Sequence, residues 1–157
     1  VTASRNYVAI DPGKSGGFAW QIGDEIGCCA MPESDPVIVD LIRTLIARGN
    51  GDITFAIEKL PLFTGKHIPG SCMAVLHANA GVCIGAALAL CARVVMVEPH
   101  EWQKYFRLGT KKDCGDSTTK WKNKLKAEAI RRFPSRNITL KTADALLILE
   151  EARLTGR

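Results

Sequence analysis

Paired metal-binding cysteines and histidines are missing from this sequence. None of its six cysteines, Cys28, Cys29, Cys72, Cys83, Cys91 and Cys114, stands in CxxC spacing, and Cys28 and Cys29 are neighbours that would point to opposite faces of a strand. This argues against a zinc site, and the mostly apolar setting of the cysteines favours reduced, buried thiols over a disulfide framework. Residues 1–7 lack the basic start, apolar middle and small-residue cleavage site of a signal peptide, so a cytoplasmic location is expected. The longest apolar stretch, residues 78–97, contains Arg93 and is rich in Gly and Ala; it reads as a buried helix followed by a strand, not as a membrane span. Internal repeats and low-complexity segments are also lacking. With 157 residues, 46% of them apolar, the chain can bury one substantial core but has no room for two ordinary domains, so one domain over residues 1–157 is expected.

Charge is modest in total and uneven in place. The net charge is +5, yet residues 111–136 hold nine basic residues against three acidic ones, a local +6 that leaves the remainder at −1. A basic concentration of this kind suits a phosphate backbone, and it equally suits a solvated helical face.

Residues 7–11, 16–21 and 25–31 have the composition and turn spacing of a three-strand meander. Apolar positions Val37, Ile38, Leu41, Ile42, Leu45 and Ile46 then recur at helical spacing and stop at Gly49-Asn50-Gly51. Residues 53–57 read as a strand buried on both faces, followed by a loop with two Pro and two Gly over 59–70. A small-residue helix over 71–92 with Ser71 as its cap, a fifth strand over 93–97, a short amphipathic turn over 100–106, a basic loop and two helices over 119–133 and 141–155 complete the order.

Three carboxylates do not fit their apolar settings. Asp11 and Glu58 end strands, and Asp144 lies near the start of the last helix. Charged groups are costly to bury unless paired or bound to a cation, and all-oxygen ligation points to a hard one, Mg²⁺ or Mn²⁺. Taken singly, Asp11 could be a turn residue, Glu58 an edge charge and Asp144 a favourable charge at a helix N-terminus; together they suggest convergence.

The segments Tyr7-Val-Ala-Ile-Asp11-Pro-Gly-Lys-Ser-Gly-Gly17, Phe55-Ala-Ile-Glu58 and Ala143-Asp144-Ala-Leu-Leu-Ile148 resemble the acidic motifs of RuvC-like Holliday-junction resolvases. The similarity extends to Val97-Glu-Pro99-His-Glu-Trp102 and Ala129-Ile-Arg-Arg-Phe133-Pro134, as in phage, bacterial and chloroplast members. It implies an α/β, RNase H-like mixed five-stranded sheet flanked by helices, a homodimer, and two Mg²⁺ ions per active site with Mn²⁺ able to substitute. The implied activity is paired nicking of four-way DNA junctions by in-line attack of activated water. The implied location is the cytoplasm or nucleoid, or the equivalent compartment of a phage host or organelle. By the same resemblance Asp11 bridges both metals, Glu58 binds one, Asp144 completes the cluster, and a catalytic lysine falls at Lys122, with Lys120 and Lys124 close enough to compete. Many relatives carry a further Asp or His just before the last aspartate. Here that stretch is Thr139-Leu140-Lys141-Thr142, leaving Asn137, Asp113, Asp116 or water as substitutes.

Phe63 and Lys66, in the loop after Glu58, are candidates for a wedge at a branch point and a backbone contact, with core or interface packing as the alternative for Phe63. Lys111, Lys112, Lys120, Lys124, Arg131 and Arg132 are the other candidate DNA contacts. Trp102, Tyr105 and Phe106 have helical spacing and read as core. The small residues between Ala74 and Ala87 permit close approach of another helix, either across a dimer axis or against the chain's own sheet. Two rival readings stand beside the nuclease. An actin-like or sugar-kinase ATPase would need a duplicated fold and a second glycine-rich turn. A catalytically weak branched-DNA-binding protein would keep the basic face without a complete metal site.

Overall fold

The computed structural model describes residues 6–62 and 68–157. Five strands form one mixed sheet in the order β3-β2-β1-β4-β5: β1 (Asn6–Asp11), β2 (Gly17–Ile22), β3 (Glu25–Ala30), β4 (Ile53–Glu58) and β5 (Arg93–Val97). The first three form the expected antiparallel meander, while β4 and β5 add in parallel beyond β1. Helix α1 (Asp35–Arg48) links β3 to β4, and α2 (Gly70–Ala89) links β4 to β5. After β5 come α3 (Pro99–Tyr105), a 3₁₀ turn at Lys111–Cys114, α4 (Thr118–Arg132) and α5 (Leu140–Thr155).

Side chains alternate across a strand, so β1 feeds two cores at once. Val8 and Ile10 pack with Ile38, Ile42 and Leu45 of α1 and with Cys83 and Ala87 of α2. Tyr7 and Ala9 face the other way, onto Leu146–Leu149 of α5 and Leu125 and Ala129 of α4. Cys28 and Cys29 likewise divide between the two cores. Residues 142–152 of α5 are all buried, which makes this helix the centre of its layer.

Two expectations need correction. The helix over 71–92 is not a buried one: α2 starts at Gly70 behind Pro69, has no side-chain cap, and buries only Ala80, Cys83 and Ala87. By length and composition alone it is apolar enough to cross a bilayer, but these three residues pack into the core beside the sheet. The cysteines are free as expected, yet Cys72 and Cys91 are exposed because one lies in the first turn of α2 and the other in the turn that follows it.

Candidate active site

The alternation that splits the cores also aims the acids. Asp11 shares its face with Tyr7 and Ala9, and Glu58 shares its face with Ala56, so both point to the layer of α4 and α5. Strands β1 and β4 are parallel neighbours, with Ile10 paired to Ile57, so the next residues along, Asp11 and Glu58, end side by side on adjacent strands. Asp144 lies in the second turn of α5 and is buried against the same end of the sheet. The three acids act on one another electrostatically: Glu58 and Asp144 both raise the Asp11 carboxyl, and Asp144 raises that of Glu58.

The turn after Asp11 is built to bring backbone close. A Cβ on Gly16 would lie 2.0 Å from the Asp11 carbonyl oxygen, and one on Gly17 would lie 2.6 Å from the Lys141 carbonyl oxygen. Neither position accepts a larger residue without moving the turn or the start of α5. The Asn79 side chain of α2 accepts from the Gly13 amide at 2.7 Å and anchors the turn from the other side.

Lys122 of α4 enters this cluster. Its ammonium bonds Asp144 Oδ2, while Asp144 Oδ1 is buried with no hydrogen-bond partner. Burial works against the Lys122 charge, but Asp144, then Asp11 and Glu58, outweigh it and raise the lysine's proton affinity. Burial is the main cause that lifts Asp11 well above the usual carboxylate range, and it lifts Glu58 to about 7 despite the hydrogen bond from Trp102 and the nearby lysine. Among the described residues no set of three or more His, Cys, Asp and Glu side chains is gathered as a ready metal site. An orphaned buried oxygen and an all-oxygen donor set under mutual repulsion nevertheless fit a hard divalent cation.

Trp102, a core residue by its helical spacing in the sequence, is wholly buried. It also donates its indole N–H to Glu58 Oε2 at 2.7 Å, so it belongs to the site as well. A signal was present: a buried indole N–H needs an acceptor, and this one lies in the first turns after the strand that pairs with β4.

The candidate phosphate contacts fall into three groups. Lys111, Lys112, Lys120 and Lys124 are exposed. Arg131 is exposed but makes two hydrogen bonds to Glu128. Arg132 is engaged by Glu128 and Glu150, stacks over Phe106 at 4.5 Å, and leaves only 22% of its side chain exposed. Phe63 and Lys66 lie outside the described residues. At the start of α5, where relatives carry another acid or histidine, Thr139 and Thr142 form a capping box. Asp113 is committed to the amide and hydroxyl of Thr110.

No family model matches the chain, and no curated protein matches it. Solved structures do. Thermus thermophilus RuvC in complex with a Holliday junction substrate aligns with a TM-score of 0.61 at 13% identity, covering 96% of this chain and 94% of that one. A second Thermus thermophilus RuvC structure aligns with a TM-score of 0.63 at 14% identity, covering 96% and 95%. Sheet order, helix placement and near-complete coverage agree in showing that this chain has the RNase H-like fold of those RuvC structures.

Proposed function

We propose that the protein is a divalent-metal-dependent endonuclease that nicks branched DNA, four-way junctions above all, as a homodimer. The observation that carries the reading is the convergence of Asp11, Glu58 and Asp144 around Lys122 at one end of the sheet. The match to a RuvC structure bound to a Holliday junction supports the choice of branched DNA as substrate.

Asp11, Glu58 and Asp144 are the residues that would hold Mg²⁺, two ions per site, or Mn²⁺ in its place. When bound, such a cation supplies Lewis-acid stabilisation of the phosphodiester and activates water. The chain's own residues do the rest. Asp11 and Glu58, each at the end of a buried strand, fix one side of the site, and Asp144 closes it from α5. Lys122 places a positive charge beside them, where it can stabilise negative charge developing on the scissile phosphate. Exposed Lys111, Lys112, Lys120 and Lys124 supply the positive surface that holds the DNA backbone.

The dimer rests on α2. Its outward face carries Ala74, Ala78, Gly81 and Gly85, and a Cβ on Gly81 or Gly85 would meet nothing within 4 Å. These residues are therefore not spent on the chain's own sheet, and they allow a second helix to approach closely.

The test is a nicking assay on a four-way junction, a Y-fork and a linear duplex of matched sequence, in Mg²⁺ and then Mn²⁺. Wild-type protein is expected to cut the junction. Asp11→Asn, Glu58→Gln and Asp144→Asn are each expected to abolish cutting while leaving junction binding largely intact. Binding without cutting by the wild type in either metal would instead support the weak junction-binding protein. Undiminished cutting by all three variants would remove the metal-site assignment.

A further inference from the structure

The indole of Trp102 has one polar atom, an N–H that can only donate. The ring is wholly buried in the core formed with Val97, Leu125 and Leu146, so packing fixes the direction of that N–H. Its acceptor is more pliable: Glu58 is half-buried and turns about three side-chain torsions. The rigid donor therefore sets the acceptor's orientation. Only Oε2 is held, at 2.7 Å, and among the described residues Glu58 Oε1 accepts no hydrogen bond.

The backbone around this contact is tied from both sides. Glu58 and Val97 are paired across β4 and β5. One residue on, the Lys59 amide donates to the Val97 carbonyl at 2.8 Å and the Lys59 ammonium pairs with Glu98 Oε1 at 2.7 Å. Pro99 then starts α3, whose fourth residue is Trp102. The alternative is that Glu58 serves only to satisfy the indole, but a neutral carbonyl would do that without bringing a carboxylate beside Asp11 and Asp144.

We infer that Trp102 is a positioning residue, whose N–H holds one oxygen of Glu58 and so presents the other to a divalent cation. The inference rests on the reading of Glu58 as a cation ligand.

The test replaces the donor and keeps the shape. Substituting 3-benzothienylalanine at position 102 puts sulfur where the indole has N–H, and Trp102→Phe serves as a second variant. Mn²⁺ binding is followed by the resonance signal of the free ion, with Glu58→Gln as reference, beside thermal melting and junction affinity. Both variants are expected to bind Mn²⁺ about 10- to 100-fold more weakly. The sulfur analogue should keep the wild-type melting temperature and DNA affinity, and its single-turnover cleavage should recover as Mn²⁺ is raised. Wild-type Mn²⁺ affinity in the sulfur analogue overturns the positioning role alone. Absence of Mn²⁺ binding by the wild type overturns the ligand reading and the positioning role with it.

Discussion

Three acids buried on α5 differ in how fully they are neutralised. Glu150 has Arg132 on one oxygen and Arg153 on the other, and both oxygens of Glu151 accept from Arg157. Asp144 alone keeps an oxygen with no partner. That difference sets Asp144 apart from the two glutamates, in keeping with its proposed part in the metal site. Burial, above all, raises Glu58 to about 7 against 4.5, and raises Asp11 as well. Across the Glu58 window, from about 4.5 to about 7, the folded protein holds a proton that the unfolded chain has released, so stability falls as pH rises through it, and the raised Asp11 acts in the same direction. The raised Lys122 contributes stability that is lost only at alkaline pH, outside this window. In chelator, denaturant titrations are expected to show a loss on the order of 1–3 kcal/mol between about pH 5 and pH 8. Glu58→Gln should flatten the slope and be the more stable protein at the upper pH; a wild-type stability independent of pH would contradict this. The acids stand out in the sequence because each lies at the edge of an apolar run. Trp102 does not, because an aromatic at helical spacing looks the same whether its N–H meets a carbonyl or a ligand carboxylate.

Helix α4 carries cations in different settings on one amphipathic rod. Trp121, Leu125 and Ala129 bury one face, Lys120 and Lys124 are exposed, and Lys122 and Arg132 are part-buried. Lys122 reaches the acid cluster, while Arg132 is held by two glutamates and a phenyl ring. The sequence showed this helix and its charge, but not the partners, since Glu150 and Phe106 approach Arg132 only through tertiary packing. Arg132→Ala leaves Glu128 and Glu150 with fewer cations, and it is expected to cost about 1–3 kcal/mol of stability in chemical denaturation. Lys111→Ala and Lys112→Ala should leave stability unchanged and lower junction affinity, reducing its salt dependence by about one unit per contact. Lys122→Ala should slow single-turnover cleavage far more than it weakens binding. If Arg132→Ala affects DNA binding alone, the arginine belongs with the phosphate contacts.

At the scale of the molecule, the sheet sorts every residue of β1 and β4 by parity, and this order was largely legible in advance. Alternation and turn composition give the meander, and the helix–strand–helix–strand order gives the parallel extension. The exposure of α2 was not legible, because a run of Ala and Gly has no polar stripe to mark the side that faces away from the sheet. Gly81 and Gly85 decide the point, since each opens on free space. Gly81→Arg and Gly85→Arg are expected to leave the protomer folded, and even to favour the helix, while converting a dimer to a monomer in sedimentation velocity. A wild-type protein that sediments as a monomer would sink the proposed pairing.

Lys122 also bears on how the acid cluster stands without a bound ion. Its ammonium is a tethered counter-charge, delivered to the acids by the same folding event that buries them. The lysine offsets the repulsion among the acids, so a bound cation is not the one group that can hold the strand ends and α5 together. If a cation binds there as proposed, the lysine would have to yield part of its place, and its side chain would then be free to turn toward a phosphate.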